Sequence, residues 1–234
     1  MNLSRIARVA VMAVLASAAA FGLWHTTAGA GEEPVIIPAP TIDLPASGTE
    51  AKAIFAGGCF WGVQGVYQHV KGVKNAVSGY AGGSGDTAHY DMIGSGQTGH
   101  AETVEITYDP DVVSYGQLLQ IFFSVTMNPT QLNYQGPDHG TQYRNAIFYQ
   151  SPEEKQVAEA YIAQLNGAKV YPAPIVTTLE PFEAFYPAEQ YHQDFLTLNP
   201  TWPYIVINDI PKVAALQELF PSVWQEQPML VGSL

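Results

Sequence analysis

A single cysteine, Cys59, limits the chemistry open to this chain, and it stands in Gly57-Gly58-Cys59-Phe60-Trp61-Gly62. A short apolar run over 52–56 stops at the two glycines. From Cys59 onward, Phe60, Val63, Val66, Tyr67 and Val70 recur at helical spacing. The pattern predicts a strand, a sharp turn and a helix that begins at the thiol. A cysteine at a helix start faces unpaired backbone N–H groups and the positive helix end, and both favour thiolate, the nucleophilic form. The glycines leave space for a substrate to approach. Phe60 and Trp61 put two large rings beside the sulfur, suited either to core packing or to a pocket for a small apolar group. A buried, inert thiol is the competing reading of Cys59 itself.

Two further stretches carry reactive groups. Residues 101–108, Ala-Glu-Thr-Val-Glu-Ile-Thr-Tyr, alternate as a strand, so Glu102 shares a face with Val104, Ile106 and Tyr108, while Glu105 lies with Thr103 and Thr107. A carboxyl on an apolar face is held protonated by desolvation and suits a general acid near neutral pH; at a strand end it can equally meet solvent. Residues 137–144, Pro-Asp-His-Gly-Thr-Gln-Tyr-Arg, gather a carboxylate, an imidazole, an amide, a phenol and a guanidinium. Arg144 is the only arginine besides Arg5 and Arg8, and in so acidic a chain it is expected to hold a carboxylate in place.

The elements that must position these groups follow from periodicity. Strands are predicted over 52–56, 73–80, 101–108, 143–149 and 175–179, with helices from Cys59 to Val70, over 115–125, over 151–165, over 188–196 and over 212–220. Ser151-Pro152-Glu153-Glu154 opens its helix with a cap, a proline and two acids. His69, late in the first helix, is expected at the surface. The first six elements run strand, helix, strand, strand, helix, strand, the order of a ferredoxin-like plait, a two-layer α/β (α+β) fold with a mainly antiparallel sheet and added C-terminal segments.

At the N-terminus, Arg5 and Arg8 precede an apolar run over 9–24 and the small-residue sequence Ala28-Gly29-Ala30, the layout of a secretory signal. The run falls short of the roughly 20 residues of a spanning helix, which favours a cleaved leader over a retained anchor. Residues 31–50, with Pro34, Pro38, Pro40 and Pro45, read as an extended linker. The globular domain is placed at 51–221 and a tail at 222–234. An exported domain, periplasmic or extracellular, follows. With 9 basic against 21 acidic residues the surface repels phosphate backbones, which argues against nucleic acid as a partner. The scattered histidines show no metal-ligand spacing, and nothing in the sequence demands more than a monomer.

Gly58-Cys59-Phe60-Trp61-Gly62, Gly99-His100-Ala101-Glu102 and Asp138-His139-Gly140-Thr141-Gln142-Tyr143-Arg144 resemble three signatures of the A-type peptide methionine sulfoxide reductases, and Tyr186-Pro187-Ala188-Glu189, Tyr191-His192-Gln193-Asp194 and Asn199-Pro200 extend the likeness. The resemblance implies reduction of the S epimer of methionine sulfoxide, free or in proteins, with no cofactor beyond an external thiol reductant. By it Cys59 is the nucleophile and Glu102 the proton donor. Tyr90 falls at the position of a phenol that binds the sulfoxide oxygen, Asp138 and Tyr143 occupy the other polar positions of that pocket, Phe60 and Trp61 enclose the methyl group, and Tyr204 stands in for a further pocket tyrosine. Thiol attack would leave Cys59 as sulfenic acid. The recycling cysteines that many members carry after the Asn-Pro are missing here, so a thioredoxin-like protein or another external thiol must resolve the sulfenic acid. Two other classes stay open: a cysteine hydrolase using Cys59, His139 or His192, and Asp138, and a non-catalytic domain for oxidised or aromatic peptides.

Overall fold

The computed structural model describes residues 33–232; the leader assigned to residues 1–30 lies outside them. The alternating and continuous apolar runs form the strands β1 (Ala51–Gly57), β2 (Val73–Ala81) and β3 (Ala101–Tyr108). The helix α1 (Phe60–Gln68) joins β1 to β2. A short helix α2 (Tyr90–Ile93) lies in the loop after β2. The predicted helix over 115–125 is α3 (Tyr115–Ile121), continued as a wider π-type turn over Phe122–Thr126. Tyr134–Gln135 and Asp138–His139 pair as a miniature hairpin, β4 and β5. Then come β6 (Asn145–Tyr149), α4 (Pro152–Ala168), β7 (Thr178–Pro181), β8 (Phe185–Pro187), α5 (Phe195–Leu198) and α6 (Ile210–Leu219).

Six strands form one sheet in the order β7-β6-β1-β3-β2-β8. All neighbours run antiparallel except β6 and β7, which are parallel. The alternation of side chains divides the sheet. Ala53 and Phe55 of β1, Val104 and Ile106 of β3 and Ile147 of β6 face the main core, built with residues of α1, α3, α4 and α6. Ile54, Ala56, Ala81, Ala101, Ala146 and Phe148 form a smaller cluster on the other side, with Phe182 packed against it. Glu102 lies on the main-core face, two residues before Val104.

Several expectations change. The strand predicted from Tyr143 starts at Asn145, because Thr141–Tyr143 closes a tight helical turn. The strand predicted over 175–179 is shifted to Thr178–Pro181. No continuous helix spans 188–196: Gln190–His192 is one 3-10 turn and α5 starts only at Phe195. The backbone is held open by side chains. Gln193 Nε2 donates to Ser78 and Ala188 carbonyls, Gln64 Oε1 accepts from Asp194 N–H, and Asp194 adopts φ 57°. His69 is buried rather than at the surface, stacked on Trp224 at 4.6 Å, with Nδ1 2.9 Å from the Gln225 carbonyl.

Candidate active site

Gly58 turns the chain out of β1 with φ +83°, a conformation that strains any residue with a Cβ. A Cβ there would also lie 2.5 Å from Gln135 Cβ. That turn delivers Cys59 to the N-cap of α1. The residue is 9% exposed, and burial pushes its thiol well above the ordinary range. Glu102, Asp209 and Asp138 push it further, while the Trp61 N–H opposes them. The helix start does pull in the expected direction, but desolvation and three nearby carboxyls outweigh it.

Glu102, 3% exposed, enters from β3 and accepts the Phe60 N–H at 3.1 Å. It thus occupies the first open donor of the helix that Cys59 caps. Burial raises its pKa to about 8 against that hydrogen bond, with Asp138 and Asp209 adding to the rise. The carboxyl is protonated at neutral pH and is bound to the backbone N–H of the residue that follows the thiol.

The remaining named residues surround this pair. Asp138, in β5, accepts a short hydrogen bond from the Tyr204 hydroxyl, and burial raises its pKa against that bond and the charge of Lys212. Cys59, Asp138 and Tyr204 line one pocket together with Asn208 and Lys212. Tyr143 and Tyr90 both have raised pKa values, chiefly from burial, with Glu102, Asp138 and Cys59 contributing. Both phenols therefore remain hydrogen-bond donors. Trp61 stacks on Phe195 at 3.9 Å and 11°, meets Tyr204 edge-on at 5.9 Å, and donates from Nε1 to His192 Nδ1. Phe60 is wholly buried against Tyr80 and His192 and belongs to the main core. Arg144 grips Glu180 with two hydrogen bonds of 2.9 and 2.8 Å, fixing the strand that follows Tyr143.

Sequence reasoning missed three contributors. Asp209 is fully buried 3.9 Å from Lys212, and its Oδ1 lies 2.3 Å from the point where a Cβ on residue 62 would stand. Only a glycine at 62 admits it. Glu189 accepts from the Tyr90 N–H at 3.0 Å and the Tyr80 hydroxyl at 2.9 Å, tying the α2 loop to the sheet. Gln135, whose Cβ crowds Gly58, lines the pocket and donates to Asn145 Oδ1 at 2.6 Å. Acid and amide side chains at loop ends were visible, but no periodicity in the sequence ties positions 62 and 209 together. The two histidines available to a hydrolase are committed elsewhere: His139 stacks on Tyr134 and His192 accepts from Trp61.

Comparison with known proteins agrees with this geometry. A family model described as peptide methionine sulfoxide reductase matches residues 51–223. Peptide methionine sulfoxide reductase MsrA 2 of Mesorhizobium japonicum is 68% identical over 188 residues, covering 80% of this chain and 96% of its own. The MsrA 2 of Synechocystis sp. is 50% identical over 190 residues, 79% of this chain and 88% of its own. Among solved structures, reduced Mxr1 from Saccharomyces cerevisiae gives a TM-score of 0.59 at 31% identity, covering 66% of this chain and 88% of its own. Methionine sulfoxide reductase A of Corynebacterium diphtheriae gives 0.57 at 29% identity, covering 77% and 92%.

Proposed function

The chain belongs to the peptide methionine sulfoxide reductase family, and from that premise we propose that it reduces methionine (S)-sulfoxide to methionine through a sulfenic acid on Cys59. The observation that carries the mechanism is Glu102: a buried, protonated carboxyl anchored 3.1 Å from the backbone N–H next to the only thiol. A sulfoxide sulfur is a poor electrophile until its oxygen takes a proton or strong hydrogen bonds. Glu102 supplies the proton, and the Tyr90 and Tyr143 hydroxyls stabilise the oxygen as charge gathers there. Asp138, paired with Tyr204, orients the pocket, and Trp61 with Phe60 takes the methyl group. The Cys59 thiol gives up its proton as its sulfur bonds to the substrate sulfur, forming a four-coordinate sulfur whose oxygen carries the proton from Glu102. That OH then passes to the Cys59 sulfur as the S–O bond and the bond between the two sulfurs break, which releases the thioether, leaves Cys59 as sulfenic acid, and lets the thiol proton restore Glu102. Two external thiols then restore the cysteine with release of water and a disulfide. A small dithiol or a thioredoxin-like protein suits this step, since the chain has no second cysteine. No other cofactor is required.

The reading extends to organisation. The four-strand run β6-β1-β3-β2 with its helices is read as a ferredoxin-like plait, to which β7, β8 and the C-terminal elements are added. The domain is taken as exported, monomeric and acting on oxidised proteins outside the cytoplasm, on the strength of the leader-like N-terminus.

The purified mature domain, incubated with separate S and R methionine sulfoxide peptides and dithiothreitol, is expected to consume the S epimer alone. Cys59→Ser should abolish that loss. Survival of both epimers with folded protein would remove the reductase reading. Release of an acyl product from ester or amide substrates would favour the hydrolase instead.

A further inference from the structure

His192 is 2% exposed. Its ring lies among Phe60, Trp61, Tyr90 and Tyr191, at centroid distances of 5.1, 5.8, 4.4 and 4.3 Å. The Trp61 indole nitrogen stands 3.2 Å from His192 Nδ1. An indole N–H only donates, so Nδ1 is the acceptor and carries no proton; in the neutral ring the hydrogen is then on Nε2. Nε2 is buried with no hydrogen-bond partner among the described residues. The fold thus leaves one imidazole donor unsatisfied while the other nitrogen serves Trp61. Burial, outweighing the charge of Glu189, lowers the imidazole pKa and keeps the accepting form.

The indole needs such a bond. Phe195 stacks flat on it, and a flat stack leaves the ring able to slide and rotate in its own plane. Tyr204 touches it edge-on. A directional N–H···N bond is what fixes the in-plane orientation.

We propose that His192 is a positioning residue for the substrate: through Nδ1 it sets the orientation of the Trp61 indole and so the shape of the methyl pocket beside Cys59. This rests on the reading of Trp61 as a substrate wall. It assigns the imidazole no proton transfer.

Two substitutions separate this role from simple packing. Asparagine places an acceptor oxygen on Cγ, where Nδ1 is attached, whereas glutamine reaches the Nε2 position and leaves the Nδ1 position apolar. In the full domain, His192→Asn is expected to keep KM for an S-sulfoxide peptide within about twofold. His192→Gln should raise KM about five- to tenfold with a smaller change in kcat, the size of one lost hydrogen bond. The Trp61 ring N–H resonance, identified by its loss in Trp61→Phe, should stay near its wild-type position in the Asn variant and move in the Gln variant. In a Trp61→Phe background, which has no N–H to hold, the two variants should have equal KM. If glutamine prevents folding, Trp61→Phe alone supplies the test, because it should raise KM with His192 intact; an unchanged KM overturns the proposal. Equal effects of Asn and Gln in the Trp61 background also overturn it. A wild-type domain inactive on every sulfoxide would instead bring down the reductase reading, a result distinct from normal activity in both His192 variants.

Discussion

Burial keeps Glu102 uncharged at neutral pH, and that has a measurable consequence for stability. Its carboxyl titrates near pH 8 in the folded protein against an ordinary value of 4.5, chiefly because it is buried. A folded pKa above the unfolded one means the folded state binds the proton more tightly. The stability this confers is complete below about pH 4.5 and is lost as pH rises through about 8. Across that window the loss is about 1.4 kcal/mol per pH unit. Glu102→Gln keeps the shape and removes the titration. It should therefore melt at a higher temperature than wild type at pH 8 to 9, with the gap closing toward pH 4.5, as measured by calorimetry across the range. The same substitution should cost roughly 10²- to 10⁴-fold in kcat/KM, the usual worth of a general acid. The fall in wild-type kcat/KM above about pH 8 should be missing from the variant. A variant less stable than wild type at pH 9 would mean that the carboxylate is better solvated than its burial indicates.

The elements decide where these residues meet, and they were legible to different depths. The strand–turn–helix around Cys59 could be read from two glycines and a helical apolar spacing, and the face of Glu102 from alternation along β3. Its burial could not be read, because a strand end meets solvent unless something covers it, and the cover here is the first turn of α1. The groups that oppose a thiolate at Cys59 were hidden for a related reason. A helix terminus is local and visible in sequence, whereas Asp138 and Asp209 approach Cys59 from segments far along the chain. The helix predicted over 188–196 failed because buried glutamines hold that backbone in turns, and hydrogen bonds of this kind imitate helical spacing without a helix. Tyr204 lines the pocket just ahead of the wide turn Ile205–Asp209 that leads into α6. The element most exposed to test is the Gly58 turn. Gly58→Ala places a Cβ at φ +83° and 2.5 Å from Gln135 Cβ. Left-handed strain of about 1–2 kcal/mol and an overlap of about 1–3 kcal/mol act together. The variant should melt well below wild type and lose most of its kcat by displacing Cys59. A wild-type melting temperature with full activity would show that the turn relaxes freely.

At the scale of the whole molecule, the segment ahead of β1 is extended, as its prolines predict, but it is also part of the packed structure. The Val35 N–H donates to the Ser124 carbonyl at 2.9 Å and Ser124 Oγ returns the bond to the Val35 carbonyl. Ile37 is 6% exposed and joins the main core. Gln120 and Tyr161 donate to the carbonyls of Ile37 and Pro38 at 3.0 and 2.7 Å. Asp43 accepts from the Gly116 N–H at 2.7 Å and from the Ser114 hydroxyl, adding a carboxylate to a helix start that already carries a capping box. The strap therefore clamps α3 to α4 on the helical layer, and none of its named contacts is with a residue of the Cys59 pocket. The C-terminal tail makes a comparable clamp on the end of α1, with Val223 and Gln225 bonded to the backbone at Lys71 and His69. Stability and chemistry are thus separable along the chain, and Ile37 tests the separation. Ile37→Ala removes a buried branched side chain and should cost about 2–4 kcal/mol, read as a lower denaturation midpoint. Its kcat/KM for an S-sulfoxide peptide should stay within about twofold of wild type, because a loss that small is under half a kcal/mol. A large fall in kcat/KM with little change in the midpoint would mean that the strap reaches the site through α3 and the turn after it, whose Phe122 packs against Gly57 at the end of β1.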